Sequence, residues 1–241
     1  MTLALLFRGL LRRELAPSAL GGMLVTAAAA GAALALLSVR VDSGQGITQL
    51  IREGDRTLAG VFAITAVFRI IGRLSDDADR AWPLQLVAAG AARPAYVTAL
   101  TIATALTALI SYTAGAWTFA GVAAAAGGGQ AALVRAVAAL PLVALMLFCA
   151  ATFGAAAFCA VGGAAARPLA VVVIILPWIL VAIFAVGGDD ALPFIVVRIA
   201  SLPAPPLAVS ASVHDVGTMM IYAGVSFACA VTTAERRIAR L

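Results

Sequence analysis

The chain has 241 residues, 63% of them hydrophobic, a net charge of +5 and a mean hydropathy of +1.08. Soluble domains hold about 45–50% apolar residues, so this composition excludes an ordinary water-soluble fold. All sixteen basic residues are arginine, which removes the lysine that a P-loop or a Schiff base requires and excludes Walker-type ATP hydrolysis by this chain.

A span of the roughly 30 Å hydrocarbon core takes about 20 apolar residues. The apolar runs therefore predict an all-α integral membrane protein of about six transmembrane helices, a single domain over 1–241 with no room for a second, soluble one. The arginine-only, alanine-rich usage reads as a GC-rich bacterial coding bias, and the inner (plasma) membrane is the expected location.

Residues 1–16 (MTLALLFRGLLRRELA) precede the first run. Leu3, Leu6, Phe7 and Leu10 share one face at helical spacing, and Arg8 and Arg12 share another, which predicts an interfacial helix. Leu5 and Glu14 interrupt that division. The first span is expected over Ser18 to Leu37, too long for the apolar core of a signal peptide. A polar connection over residues 38–56 is followed by a second helix from Thr57 to about Gly72, whose Arg69 and Arg73 are expected to snorkel to the headgroups. Asp76, Asp77 and Asp79 follow at once; flanked by Arg69, Arg73 and Arg80, they read as local charge compensation more than as a metal site.

The loop over 73–94 is the most informative stretch. Trp82 is biased away from the helical region by Pro83, which can open a new short helix that Gly90 ends, giving a two-turn cytoplasmic element over Pro83 to Ala89. Such an element, held between two spans, suits a surface against which a motor subunit pushes; an ordinary connecting loop is the plainer alternative. Arg93 and Pro94 then launch the third span, Tyr96 to about Ala120. The GGGQ turn leads to the fourth, Ala136 to Val161. The fifth runs from Pro168 to Val186 and the sixth from about Val216 to Val231. Between these two, residues 187–215 are too broken by proline to span and read as an outer hairpin dipping into the membrane.

On this layout Arg8, Arg12, Arg13, Arg69, Arg73, Arg80, Arg93, Arg167, Arg236, Arg237 and Arg240 fall inside, and Arg40, Arg52, Arg56, Arg135 and Arg198 outside. The excess places both termini in the cytoplasm. Cys149, Cys159 and Cys229 have no partner at metal-binding or disulfide spacing and read as packing residues. His214, the one histidine, has no evident nucleophile beside it, and GxSxG is absent, so an intramembrane serine enzyme is unsupported. No ionisable residue is expected deep in a span, which argues against an ion-coupled secondary transporter. The hydroxyls of Thr26, Thr65, Thr101, Thr104, Thr107, Ser111, Tyr112, Thr152 and Ser226 remain, as helix–helix contacts or as the lining of a path.

The order of interface helix, six spans, acidic loop with a short helix, and broken outer hairpin resembles the export permeases of ABC transporters, the type-two permease family with the type V exporter fold. Asp76, Asp77 and Asp79 stand for that family's acidic element, Leu84 and Leu86 for its leucines, Arg93 for its arginine and Tyr96 for its aromatic position. Ala81, Gln85, Gly90 and Ala92 depart from the glycine, glutamate, proline and serine common there. The resemblance implies a permease that dimerises with an identical or similar chain and docks separate ATP-binding subunits, which hold ATP and magnesium; this chain would carry no cofactor, no catalytic site and no nucleic acid. It places ATPase coupling on Asp79, Trp82, Pro83, Leu84, Gln85, Leu86 and Arg93, and contacts of the interface helix on Phe7, Leu10 and Arg12. The haem-handling cytochrome c maturation branch of these permeases is an alternative, as are an intramembrane enzyme and a membrane anchor of other subunits.

Overall fold

The computed structural model describes residues 3–40, 47–80, 92–125, 131–185 and 213–238, and among them every regular element is a helix. There are seven: α1 (Leu3–Glu14), α2 (Pro17–Arg40), α3 (Ile47–Asp79), α4 (Arg93–Ala123), α5 (Ala131–Val161), α6 (Gly163–Ala185) and α7 (Val213–Ile238).

Among the described residues four stretches are long and apolar enough to cross a membrane: Gly54–Asp79, Arg93–Ala123, Leu133–Val161 and Asp215–Ala234. The apolar stretches described in α2 and α6, Gly21–Leu36 and Ala164–Leu176, are shorter. With hydrocarbon outside, a helix is the one open-chain element that satisfies its own backbone, which is why continuous apolar runs fold this way.

The helices run further than the apolar runs that reveal them. α3 begins at Ile47, inside the stretch expected to be a polar connection, and passes Gly72 to end at Asp79. Its 33 residues rise about 50 Å, well beyond the roughly 30 Å core, and its polar ends find partners on α1 and α4. The expected loop over 73–94 is shortened accordingly: residues 73–79 belong to α3, and Arg93 and Pro94 open α4 with proline in its first turn. The short helix over Pro83 to Ala89, with Trp82, Leu84, Gln85 and Leu86, lies outside the described residues. So do the GGGQ turn and almost all of the hairpin over 187–215.

α4 is the centre of the bundle, packed against α1, α2, α3, α5 and α7. Two glycine contacts set the closest approaches. A methyl group on Gly31 of α2 would run into the carbonyl of Gly115 on α4, and one on Gly154 of α5 would meet Ile70 Cγ2 at 2.5 Å and Val67 O at 2.8 Å on α3. Small residues at such crossings let backbones approach where no water drives helices together. α5 and α6 are joined by Gly162, which takes a φ of 88°, in the left-handed region that glycine occupies without penalty.

The amphipathic division of α1 is real, but its apolar face meets protein. Leu6 and Leu10 are buried in the main core, with Phe7 packed against it, while Arg8 and Arg12 are exposed and Leu5 points outward. Most of the hydroxyls expected to bridge helices or line a path turn back on their own helices; the buried Thr104 hydroxyl makes no hydrogen bond among the described residues. Thr26, Thr65, Thr101, Thr107, Ser111 and Thr152 each donate to a carbonyl three or four residues earlier.

Candidate functional site

At the end of the bundle where α1 lies, charged residues of α1 and α3 converge, with Tyr96 of α4 beside them. Glu14, the residue that breaks the symmetry of α1, is fully buried at 0% exposure. Its Oε2 accepts hydrogen bonds from Arg69 Nε at 3.0 Å and Nη2 at 2.5 Å. Arg73 Nε sits 2.8 Å from Oε1, yet off the angle of a hydrogen bond, so that contact is ionic and Oε1 has no hydrogen-bond donor. Arg69 also directs Nη1 to the sulfur of Met23, 2.7 Å away, which brings α2 into the cluster.

The neighbouring Arg13 makes the second half of the cluster. Its Nη1 and Nη2 donate to Oδ1 and Oδ2 of Asp77 at 2.8 and 3.0 Å, a parallel pair of bonds that a planar guanidinium suits and an ammonium does not. Asp77 also accepts a hydrogen bond from the hydroxyl of Tyr96 on α4. Burial works against the charge on Arg13, but its hydrogen bond to Asp77 and the negative charge of that carboxylate outweigh burial and raise its pKa above the ordinary arginine value.

The physics of this cluster is that of a clasp. Each ion loses several kcal/mol of hydration when buried, and near-complete mutual pairing is what returns it, so the net gain is small while the loss on breaking one pair is large. Arg13 and Glu14 are consecutive on α1, and on α3 Asp77 lies 64 residues from Arg13 and Arg69 lies 55 from Glu14. The pairing therefore fixes the last turn of α1 to the last turns of α3, and through Tyr96 to the first turn of α4.

Arg69 and Arg73 pair with Glu14 instead of extending to headgroups on their own, because a buried carboxylate is within reach. The acidic trio divides: Asp77 turns inward to Arg13 and Tyr96, while Asp76 and Asp79 are exposed. The charge of Asp77 is thus met from α1 and not by the arginines next to it in sequence. Arg93 opens α4 and is half-buried, Phe7 and Leu10 lie on the bundle side of α1, and Arg12 is exposed. Among the described residues no group of three metal-ligating side chains comes together. The buried Cys149 donates from Sγ to the carbonyl of Met219 at 3.2 Å, in keeping with a packing role.

Glu14 and Tyr96 are the members whose part sequence reasoning missed. An acidic residue closing a basic amphipathic helix, upstream of two arginines inside an apolar run, is the signal that points to Glu14.

A second polar contact occupies the far end of the α3–α4 pair. Tyr112 Oη donates to Asp55 Oδ1 at 2.8 Å, and the Phe62 ring meets Tyr112 edge-on with centroids 6.1 Å apart. Asp55 and Asp77 are separated along α3 by about 33 Å, close to the thickness of the hydrocarbon core. The antiparallel helices are thus joined by an aspartate–tyrosine latch at each end. No family model matches the chain, and no curated protein or solved structure matches it either.

Proposed function

We propose that the chain is the membrane-spanning permease subunit of an ABC export system, working as a dimer and driven by separate ATP-binding subunits. The observation that carries this reading is the clasp. It ties the interface helix α1 to both roots of the 80–92 connection, the two elements to which such a subunit would dock. A push on either would then move α1, α3 and α4 together as a rigid body, which is the mechanical requirement for coupling.

In this reading the bilayer is a bacterial inner membrane crossed about six times, with α2 and α6 completing the set and both termini in the cytoplasm. Trp82, Leu84, Gln85 and Leu86 contact the ATPase, flanked by Asp79 and Arg93. ATP and magnesium belong to the partner, and this chain moves substrate without catalysing hydrolysis.

The test is co-expression with the ATP-binding protein encoded beside the chain, purification through a tag on the permease in mild detergent, and measurement of subunit composition and ATPase rate. The expected result is a complex of two and two whose stimulated ATPase activity disappears when Leu84 and Leu86 are both changed to Asp. A folded chain that forms no such complex, or one that turns over a substrate alone, would reject the reading in favour of an anchor or an intramembrane enzyme.

A further inference from the structure

Four charged side chains lie on α1, and the fold uses them in two ways. Arg13 and Glu14 turn to the bundle and are paired with Asp77, Arg69 and Arg73. Arg8 and Arg12 turn outward, are exposed, and have no ion pair among the described residues. They share one stripe of the helix with Leu5, which is 61% exposed, and with Gly9, where an added methyl group would meet no described atom within 4 Å. Asp76 and Asp79, exposed acids at this end, lie on α3 and pair with neither arginine.

Three attachments hold α1 at the level where the apolar stretch of α3 ends. Leu15 and Ala16 alone separate it from α2, and its last turn pairs with Arg69, Arg73 and Asp77, near the end of Gly54–Asp79. Leu6 and Leu10 belong to the same core as residues of α3, α4 and α5. The helix is about 18 Å long, so its outer stripe stays close to the headgroup level of any bilayer that α3 crosses. Exposed arginines beside an exposed leucine suit that level, where stems and apolar side chains lie on acyl chains and guanidinium groups reach phosphates. Arg8 and Arg12 are one turn apart, about 5–6 Å at Cβ, near enough to serve one headgroup.

We propose that this outer stripe of α1 is a binding surface for an anionic phospholipid, with Arg8 and Arg12 at its headgroup and Leu5 against its acyl chains. The inner pair of charges fixes the helix to the bundle, and the outer pair attaches it to the leaflet. The surface does not depend on the permease reading, because lipid binding is a property of the chain by itself, with or without an ATPase.

The full chain, in mild detergent, is titrated with phosphatidylglycerol and separately with phosphatidylcholine of the same acyl chains, and native mass spectrometry reads the affinity for the first lipid bound. Each arginine near an anionic lipid contributes about fivefold, so phosphatidylglycerol should bind about tenfold or more tightly than phosphatidylcholine. Arg8→Gln together with Arg12→Gln should remove about fivefold or more of that preference, and Arg8→Lys with Arg12→Lys should retain most of it. Arg80→Gln with Arg167→Gln removes the same charge from other exposed positions at this end, where Arg167 Nη2 reaches Gly72 of α3, and should leave most of the preference in place. Equal affinity of the wild-type chain for the two lipids would overturn the proposal. So would a preference that survives in an Arg8→Gln, Arg12→Gln chain whose thermal unfolding matches the wild type; if that chain instead fails to copurify with an ATP-binding protein, the stripe belongs to that partner.

Discussion

The two latches between α3 and α4 use the same pair of side chains and differ in their surroundings. At the α1 end, Asp77 is held by Tyr96 and by two bonds from Arg13, beside a Glu14 that is itself enclosed by Arg69 and Arg73. At the far end, Asp55 has the hydrogen bond from Tyr112. The first arrangement is costly to bury and costly to break, which makes it a structural fixture. The second is lighter, a single hydrogen bond from Tyr112 to a half-buried carboxylate. One motif thus holds firmly where the fold adds a guanidinium, and lightly where, among the described residues, the tyrosine is the partner.

The comparison breaks most severely at Glu14. Glu14→Gln leaves Arg69 and Arg73 charged beside a neutral amide, and a loss of about 3–5 kcal/mol is expected in thermal or denaturant unfolding in detergent. A change within about 0.5 kcal/mol, typical of surface positions, would show that the clasp is not formed. Gly31→Val probes the seam that joins the two ends. The added atoms have the Gly115 carbonyl in their way, and overpacking of about 1–3 kcal/mol should appear as lost stability, with α2 the first helix to gain amide exchange.

The tyrosines sharpen the contrast. Tyr96→Phe removes a buried hydrogen bond to a charged group and should cost about 1.5–3 kcal/mol, whereas Tyr112→Phe should cost about 0.5–1.5 kcal/mol, because water can replace the hydroxyl at half-buried Asp55. Equal losses would remove the distinction between the latches. The smallest effect belongs to Arg12, the exposed neighbour of Arg13: Arg12→Gln should stay within about 0.5 kcal/mol in the same unfolding measurement.

The helices were legible in the sequence because a lipid-facing segment must be both apolar and long. Their ends were not. Hydropathy falls where a helix leaves the hydrocarbon, but α3 continues through Arg52 and Asp55 on one side and Arg73 and Asp77 on the other. The basic and apolar faces of α1 were visible at helical spacing, and so was the interruption at Glu14. What that interruption meant depended on Arg69, 55 residues away in sequence, and no local pattern reports a contact of that range. Tyr96 was noted for its place after Arg93 and Pro94, and Tyr112 as one polar group among many. Their matching roles follow only from the antiparallel packing of α3 and α4, which brings each to an aspartate.

The claim on which the account depends is that α1 and α3 are energetically joined across their ends. A double-mutant cycle on Arg13→Gln and Asp77→Asn, followed by unfolding of the four proteins in one detergent, measures that link directly. The account predicts a coupling energy above about 1.5 kcal/mol, with the double variant much more stable than the sum of the single losses implies. Additive losses, with a coupling energy near zero, would contradict it.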